Sequence, residues 1–389
     1  RQEPGRVSAF RLRRWIVPAL AAVGAAGQLA ACRAGAVLGP RATPTAAVTA
    51  IPTASATPLA SPTPTAHPLQ IRWLRERQYA AAPLLTETVL PSGAGYDRSV
   101  VSYLSDGLRI RALLTVPQGA PPATGWPIVV FNHGYIPPAQ YRTTERYVAY
   151  VDAFARAGYI VLKSDYRGHG SSEGQAGGGY GSPNYTVDVL HGLAAVRAHP
   201  LADPARVGMW GHSMGGWITL RSMVVTDTVK AGVIWAGVVG SYDDLFQRWR
   251  RPGAPTAGAP TAGAPTAGAP PAGAPTAAAT RRSSWRTDLV ARFGSPEDNP
   301  EFWSSISANA FLSDIAGPLQ LHHGDADKDV PLLFSEILAQ GMADAGREAE
   351  LFVYPGDDHN LSANLRTALS RSVAFFDQHV KAAPAAPTP

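Results

Sequence analysis

The chain has 389 residues, 45% of them hydrophobic, with 38 Gly and 35 Pro, which is room for one large domain plus appendages or for two modest ones. Its formal charge is +5, but residues 1–31 hold five Arg against one Glu, so the remainder is close to neutral and lacks the basic face that a nucleic-acid binder needs. The lone cysteine, Cys32, excludes an intramolecular disulfide and a zinc site built on several thiolates.

The opening segment reads as an export signal. Arg11, Arg13 and Arg14 form a positive region, and Trp15 to Ala31 is an uncharged, Ala-rich run, interrupted by Pro18 and short for a membrane span. It ends in Leu29-Ala30-Ala31-Cys32, which resembles the bacterial lipoprotein lipobox, where the signal is cut just before a Cys that then carries lipid. The expectation is a signal peptide over 1–31 and a lipid anchor at Cys32, holding an exported protein at the bacterial cell surface or in the periplasm. The alternative is an ordinary signal, or an uncleaved anchor, with a chance Cys. Residues 32–68 then form a tether, Pro-, Thr- and Ala-rich from residue 40 onward, whose composition buries little.

The folded part is expected over 69–381, followed by a Pro/Ala tail at 382–389. Ser99–Leu104 and Leu108–Val116 read as two strands around a turn at Asp106-Gly107. Ile128–Phe131 and Tyr159–Leu162 are short, continuous apolar runs that suit strands buried on both faces. Between them, Thr144–Ala157 has helical spacing and stops at Gly158. Helix Tyr185–His199, strand Arg206–Trp210, helix Gly216–Val225 and strand Ala231–Trp235 follow. Strand Leu319–His322, helix Leu332–Ala345, strand Glu350–Tyr354 and a last helix from about Leu361 to Val380 complete the order. Strands alternating with helices predict an α/β class with a mostly parallel central sheet and helices on both faces. Trp210 and Trp235 fall in strands and read as core. Pro252–Thr280 contains only Pro, Gly, Ala and Thr with a five-residue period, and reads as a disordered low-complexity insertion; the Arg residues flanking it (Arg248, Arg286 and their neighbours) read as solvated surface.

Gly211-His212-Ser213-Met214-Gly215 is a G-x-S-x-G motif. A buried strand runs into it and a helix runs out, the setting of a nucleophile elbow. A phosphate-binding glycine loop is the alternative, but the P-loop spacing and its Lys are missing. A serine needs a base to remove its proton, and His359 follows a strand and precedes the last helix. The orienting acid should come earlier in the chain, and Leu321-His-His-Gly-Asp-Ala-Asp327-Lys-Asp-Val-Pro331 supplies Asp327. The order Ser…Asp…His is that of α/β-hydrolases. Asp325, Asp327, Asp329 and Glu336 also match the ligand spacing of a calcium loop, but Val330 stands where that loop needs Gly and Pro331 follows. No metal or other cofactor is expected.

His323-Gly324 through Asp327 to Val330 resembles the acid loop of the prolyl oligopeptidase (peptidase S9) catalytic domain. Phe131-Asn-His-Gly134 and Ser164-Asp-Tyr-Arg-Gly-His-Gly-Ser-Ser172 resemble that domain and its dienelactone-hydrolase-like relatives. The resemblance covers roughly residues 96–380. It implies that Ser213, Asp327 and His359 form the catalytic triad, and that the backbone N–H groups of Tyr135 and Met214 form the oxyanion hole. Asp165 and His169 read as loop-shaping and His322 as a structural neighbour of the acid loop. Classical members carry a large N-terminal β-propeller, and with so few folded residues expected before Tyr96 none is expected here. A peptide or amide bond is the expected substrate, a carboxylic ester the alternative, and a non-catalytic surface binding module the second alternative. Val238–Ser307 should line the pocket with Phe246, Trp249, Trp285, Phe302 and Trp303, and Asp243 and Asp244 are candidates to hold a peptide's free amine.

Overall fold

A computed structural model of the chain describes residues 66–249 and 285–382. The signal segment, Cys32, nearly all of the tether, the Pro252–Thr280 insertion and almost all of the tail lie outside these residues. Among the described residues no helix is long and apolar enough to cross a membrane.

Strands β2 (Tyr96–Ser105) and β3 (Leu108–Pro117) form an antiparallel hairpin. Its two-residue turn is Asp106-Gly107, both at positive φ (49° and 79°), the backbone that a tight hairpin demands. An additional edge strand, β1 (Leu85–Gly93), pairs with β2. The sequence does not announce it, because its side chains are almost all exposed and no apolar alternation marks a buried face.

Beyond the hairpin come β4 (Trp126–Asn132), β5 (Ile160–Ser164), β6 (Ala202–His212), β7 (Ala231–Trp235), β8 (Leu319–Gly324) and β9 (Ala349–Tyr354). The nine strands form one sheet in the order β1-β2-β3-β5-β4-β6-β7-β8-β9, with β5 through β9 all parallel. This is the architecture expected of an α/β-hydrolase. Alternate residues along each central strand feed two separate cores. Ile128 and Val130 of β4 join one, under α3 (Asn184–Arg197), α4 (Met214–Val225) and α8 (Leu332–Asp344). Val129 and Phe131 join the other, under α2 (Val148–Arg156) and α9 (Leu365–Phe376), together with Trp210 and Trp235. Each large side chain so buried contributes about 1.5–3 kcal/mol of apolar transfer energy.

Two helices start later than their spacing predicts. The segment before α2 is broken by Arg146 and Tyr147, which both take left-handed backbone (φ 57° and 52°). The segment before α9 contains Leu361 at φ 53° and winds around the buried Asp357, whose carboxylate accepts from the N–H groups of Ala363 and Asn364. In both places a short-range pattern is overruled by backbone that bends to form a loop.

The chain passes from β4 to β5 on one side, then returns to place β6 on the other side of β4. At such a switch point the connections leave in opposite directions and open a crevice at the C-terminal strand ends. Asn132–Gly134 and Gly211–Ser213 lie there.

Candidate active site

Ser213 sits between the end of β6 and the first turn of α4 with φ 54° and ψ −117°, a strained backbone for a residue with a Cβ. The flanking glycines are required by crowding. A Cβ on Gly211 would collide with the Gly215 carbonyl and Thr219 Oγ1, and one on Gly215 with the Asn132 carbonyl. The turn is pinned to β7: Ser213 N–H donates to the Trp235 carbonyl (3.0 Å), and the Ser213 carbonyl accepts from Val238 N–H (3.1 Å). Ser213 thus stands at the head of a twelve-residue helix, whose first N–H groups have no partner within the helix and carry partial positive charge.

Asp327 lies on the loop after β8 and His359 on the loop after β9. Their side chains meet with His359 Nδ1 2.7 Å from Asp327 Oδ2. Asp327 is nearly sealed off, its side chain 1% exposed. Its Oδ1 accepts from the N–H groups of Asp329 (2.8 Å) and Val330 (3.0 Å), and its Oδ2 also accepts from His323 Nε2 (3.1 Å). Burial by itself would raise this carboxyl's pKa. The hydrogen bonds from His323 and His359, with the latter's charge, overcome it and hold Asp327 far below the usual carboxylate range. An ionised Asp327 keeps the His359 proton on Nδ1 and leaves Nε2 as the acceptor, the tautomer a general base needs.

His323 was not assigned a role from sequence, although its spacing of four from Asp327 hints at one. Its Nε2 faces two acceptors, Asp327 Oδ2 and the Val330 carbonyl (3.0 Å), so that nitrogen carries the proton, and Nδ1 accepts from Ser335 Oγ (2.8 Å). His322 is fully buried, between the Tyr354 hydroxyl and Gln320 Oε1, beneath the acid loop. Asp165 accepts from Tyr141 (3.0 Å) and Thr143 (2.5 Å), and buried His169 packs edge-on to Tyr141 and Tyr166; both shape loops. Asp325 accepts from Gly356 N–H (2.6 Å), and both Asp327 oxygens are committed to N–H donors, so the alternating acids do not converge as a calcium loop. Among the described residues the group of three close potential metal ligands is Asp327, Asp329 and His359, which contains the His–Asp pair itself.

Ser213 and His359 line one cavity of about 380 Å³ with Gly134, Tyr135, Tyr147, Tyr150, Tyr180, Trp249, Arg146 and Asp329 among its walls. Tyr135 is 58% exposed at its mouth. Gly134 N–H is spent on the Tyr147 hydroxyl (3.0 Å), whereas among the described residues the N–H groups of Tyr135 and Met214 meet no protein acceptor. Among the described residues that line it, Arg146 is the one guanidinium and Asp329 the one carboxylate.

The aromatic lining differs from expectation. Of the five residues proposed between Val238 and Ser307, only Trp249 reaches this pocket. Phe302 stacks on Phe293 (4.0 Å), Phe246 and Trp285 pack edge-on, and Trp303 lines a second cavity of about 460 Å³. Arg286 is not merely solvated: its guanidinium lies over Trp285 (4.9 Å) and Trp249 (5.5 Å) and donates to the Leu245 carbonyl. Neither proposed amine ligand reaches the cavity of Ser213 and His359. Asp243 lines the second one, and Asp244 is locked in a capping box with Ser241 at the start of α5 (Tyr242–Gln247). The placement of these side chains follows from contacts between residues 238–249 and 285–307, which no local pattern encodes.

Residues 106–359 match the X-Pro dipeptidyl-peptidase (S15) family. The uncharacterized peptidase YuxL of Bacillus subtilis (strain 168) is 25% identical over 291 residues, 71% of this chain and 38% of that protein. Acylaminoacyl peptidase from Pyrococcus horikoshii superposes with a TM-score of 0.56 at 20% identity, over 76% of this chain and 44% of that one. Acetyl xylan esterase from Paenibacillus sp. R4 does so with a TM-score of 0.56 at 15% identity, over 79% of this chain and 92% of that one. The chain therefore spans less than half the length of both peptidases. These likenesses support a hydrolytic enzyme, peptidase or esterase, on the α/β-hydrolase fold. The matched family is S15, where the motifs had pointed to the prolyl oligopeptidase type. Well over half of the 389 residues fall in the match, Ser213, Asp327 and His359 among them, and the chain belongs to the X-Pro dipeptidyl-peptidase (S15) family.

Proposed function

We propose that the chain is a serine peptidase that cleaves a peptide or amide bond through an acyl-Ser213 intermediate. The observation that carries this is the Asp327–His359 hydrogen bond in the same cavity as a serine on strained backbone at a helix N-terminus. His359 Nε2 takes the Ser213 proton as Oγ attacks the substrate carbonyl. The charge that develops on the carbonyl oxygen is met by the N–H groups of Tyr135 and Met214. His359, its positive charge balanced by Asp327, then passes the proton to the leaving amine, and water repeats the sequence to release the acid. Family membership and the peptidase relative support the amide reading. Asp329 supports it further, as a carboxylate in the cavity that can receive a substrate ammonium group.

The ester reading rests on the equal TM-score to the acetyl xylan esterase. A comparison of kcat/KM for aminoacyl anilides and for natural esters of matched acyl groups separates the two. Cleavage of esters with no measurable turnover of any anilide or peptide abandons the peptidase reading. A fluorophosphonate should label Ser213 and leave Ser213→Ala unlabelled; a folded protein that takes no label removes the acyl-enzyme. We also propose export and lipid attachment at Cys32. Cys32→Ala should release the protein from membranes, and mass spectrometry finding an unmodified, internal Cys32 overturns this.

A further inference from the structure

The three loops that supply Tyr135, Ser213 and His359 are joined in the wall of the cavity by a chain of hydrogen bonds whose direction is determined at every link. Gly134 N–H can only donate, so the Tyr147 hydroxyl oxygen accepts it (3.0 Å). The His359 carbonyl can only accept, so His212 Nε2 carries a proton and donates it (2.9 Å). In a neutral ring that leaves a lone pair on Nδ1, and the Tyr147 O–H donates to it (2.7 Å). The order is Gly134 N–H to Tyr147, Tyr147 to His212, His212 to the His359 carbonyl. It requires a neutral His212. Burial, and then the charge of neighbouring His359, push the His212 pKa down to about 3 and keep the ring neutral at any working pH.

We propose that Tyr147 and His212 are positioning residues that hold the oxyanion-hole loop, the nucleophile turn and the base loop in one register. The proposal rests on the acyl-transfer reading of Ser213.

Three observations converge on it. First, the groups are crowded together: a Cβ on Gly134 would lie 2.8 Å from the Tyr147 hydroxyl, 3.1 Å from His212 Nδ1 and 3.2 Å from Ser213 Cβ. Second, Tyr147 occupies that point at a cost in backbone strain, since Arg146 and Tyr147 are two successive non-glycine residues in left-handed conformation. The strain is countered from below. Lys163 of β5 is fully buried, and its ammonium donates to the carbonyls of Glu145 (3.1 Å) and Arg146 (3.5 Å), the two residues that lead into Tyr147. Third, the link to Gly134 N–H orients the peptide just before the Tyr135 N–H. The link to the His359 carbonyl fixes the backbone that carries the base. A displacement of about 1 Å in such groups costs on the order of 100-fold in rate.

The test uses Tyr147→Phe, which removes the hydroxyl and keeps the ring, His212→Asn, which keeps an acceptor toward Tyr147 and loses the donor toward His359, and the double variant. Active sites are counted by fluorophosphonate end-point labelling, and kcat and KM are measured per labelled site. The expected result is a fall in kcat of about tenfold or more in each single variant, with KM within about threefold. The labelling rate should fall in step. The double variant should be no worse than the poorer single one by more than about threefold, because both cut the same chain. The proposal is overturned if either folded single variant keeps kcat within threefold of the parent, or if the two losses multiply. If Tyr147→Phe does not fold, His212→Asn alone decides by the same criterion. Ser213→Ala serves as the separate control. Activity surviving in that variant removes the acyl-enzyme itself, whereas activity lost there with intact Tyr147→Phe removes only the positioning role.

Discussion

Among the described residues, two cavities of similar size invite comparison. The one at the ends of β4 and β6 contains Ser213, His359, Trp249, Asp329 and several tyrosines. The other, beside α5 and α7 (Pro300–Ile306), contains Trp303, Asp243, Glu297 and three serines, and is slightly larger. Volume and acidic groups therefore do not distinguish the candidate site from a surface hollow. What differs is how the side chains are held. In the first cavity a strained serine, a helix N-terminus and a buried Asp–His pair arrive from three separate strand ends, each hydrogen bond with a defined direction. In the second, Ser241 caps α5, Ser307 Oγ bonds back to the Trp303 carbonyl (2.8 Å), and Asp243 accepts from Gln247, all contacts that serve local structure. The reactivity proposed for Ser213 rests on that convergence at the C-terminal ends of the strands.

That contrast is most exposed at Ser213. Ser213→Ala should lower turnover on the order of 10⁶-fold with little change in melting temperature, as read by single-turnover kinetics against the most reactive substrate. Residual activity within tenfold of the parent would place the chemistry elsewhere. Next in size is Asp327→Asn, which frees His359 to adopt the wrong tautomer and should cost about 10⁴-fold in kcat. The same variant reports on stability. The folded-state pKa of Asp327 is depressed, so its contribution is complete above the unfolded value of about 3.9 and is lost as pH falls through the lower folded one. Urea unfolding should thus show a gap between parent and Asp327→Asn that is constant near neutrality and narrows below about pH 4. A gap that widens on acidification contradicts the hydrogen-bonded, ionised Asp327.

A smaller effect tests the charge in the cavity. Asp329→Asn should raise KM about fivefold for substrates with a free α-amine and leave N-acylated ones unchanged, the scale expected for an exposed ion pair. Equal effects on both substrate kinds would remove the amine contact. The smallest effect belongs to the second cavity. Asp243→Asn and Glu297→Gln should leave kcat/KM within about twofold, as exposed substitutions away from a site do, and a tenfold loss in either would break the contrast between the cavities.

Much of the candidate site is legible in the chain because its parts are locally encoded. The two glycines around Ser213 are forced by close backbone approach, and the loops of Asp327 and His359 each follow a short apolar strand. The walls of the pocket are not encoded this way. Tyr147 lies in a stretch with helical spacing, and nothing local foretells that Arg146 and Tyr147 turn left-handed over a buried lysine. His212 occupies a variable position of the motif, and its role needs the His359 carbonyl, 147 residues away. Asp329 looked like part of a calcium spacing, whereas Asp243 and Asp244 looked available to a substrate and are not in its cavity.

The sequence by itself determined the strand–helix alternation, the parallel sheet and the order Ser213, Asp327, His359, because hydrophobic periodicity, tight-turn glycines and chain order are properties of neighbours along the chain. It also carried family membership. Only the tertiary structure decided which aromatic and charged groups share a cavity with Ser213, and that Gly134, Tyr147, His212 and His359 form one directed chain. It alone placed the Arg286 guanidinium over Trp285 and Trp249 and β1 at the sheet edge. Those outcomes depend on how segments far apart in sequence pack against each other, where steric fit and the pairing of every buried polar group override local preference.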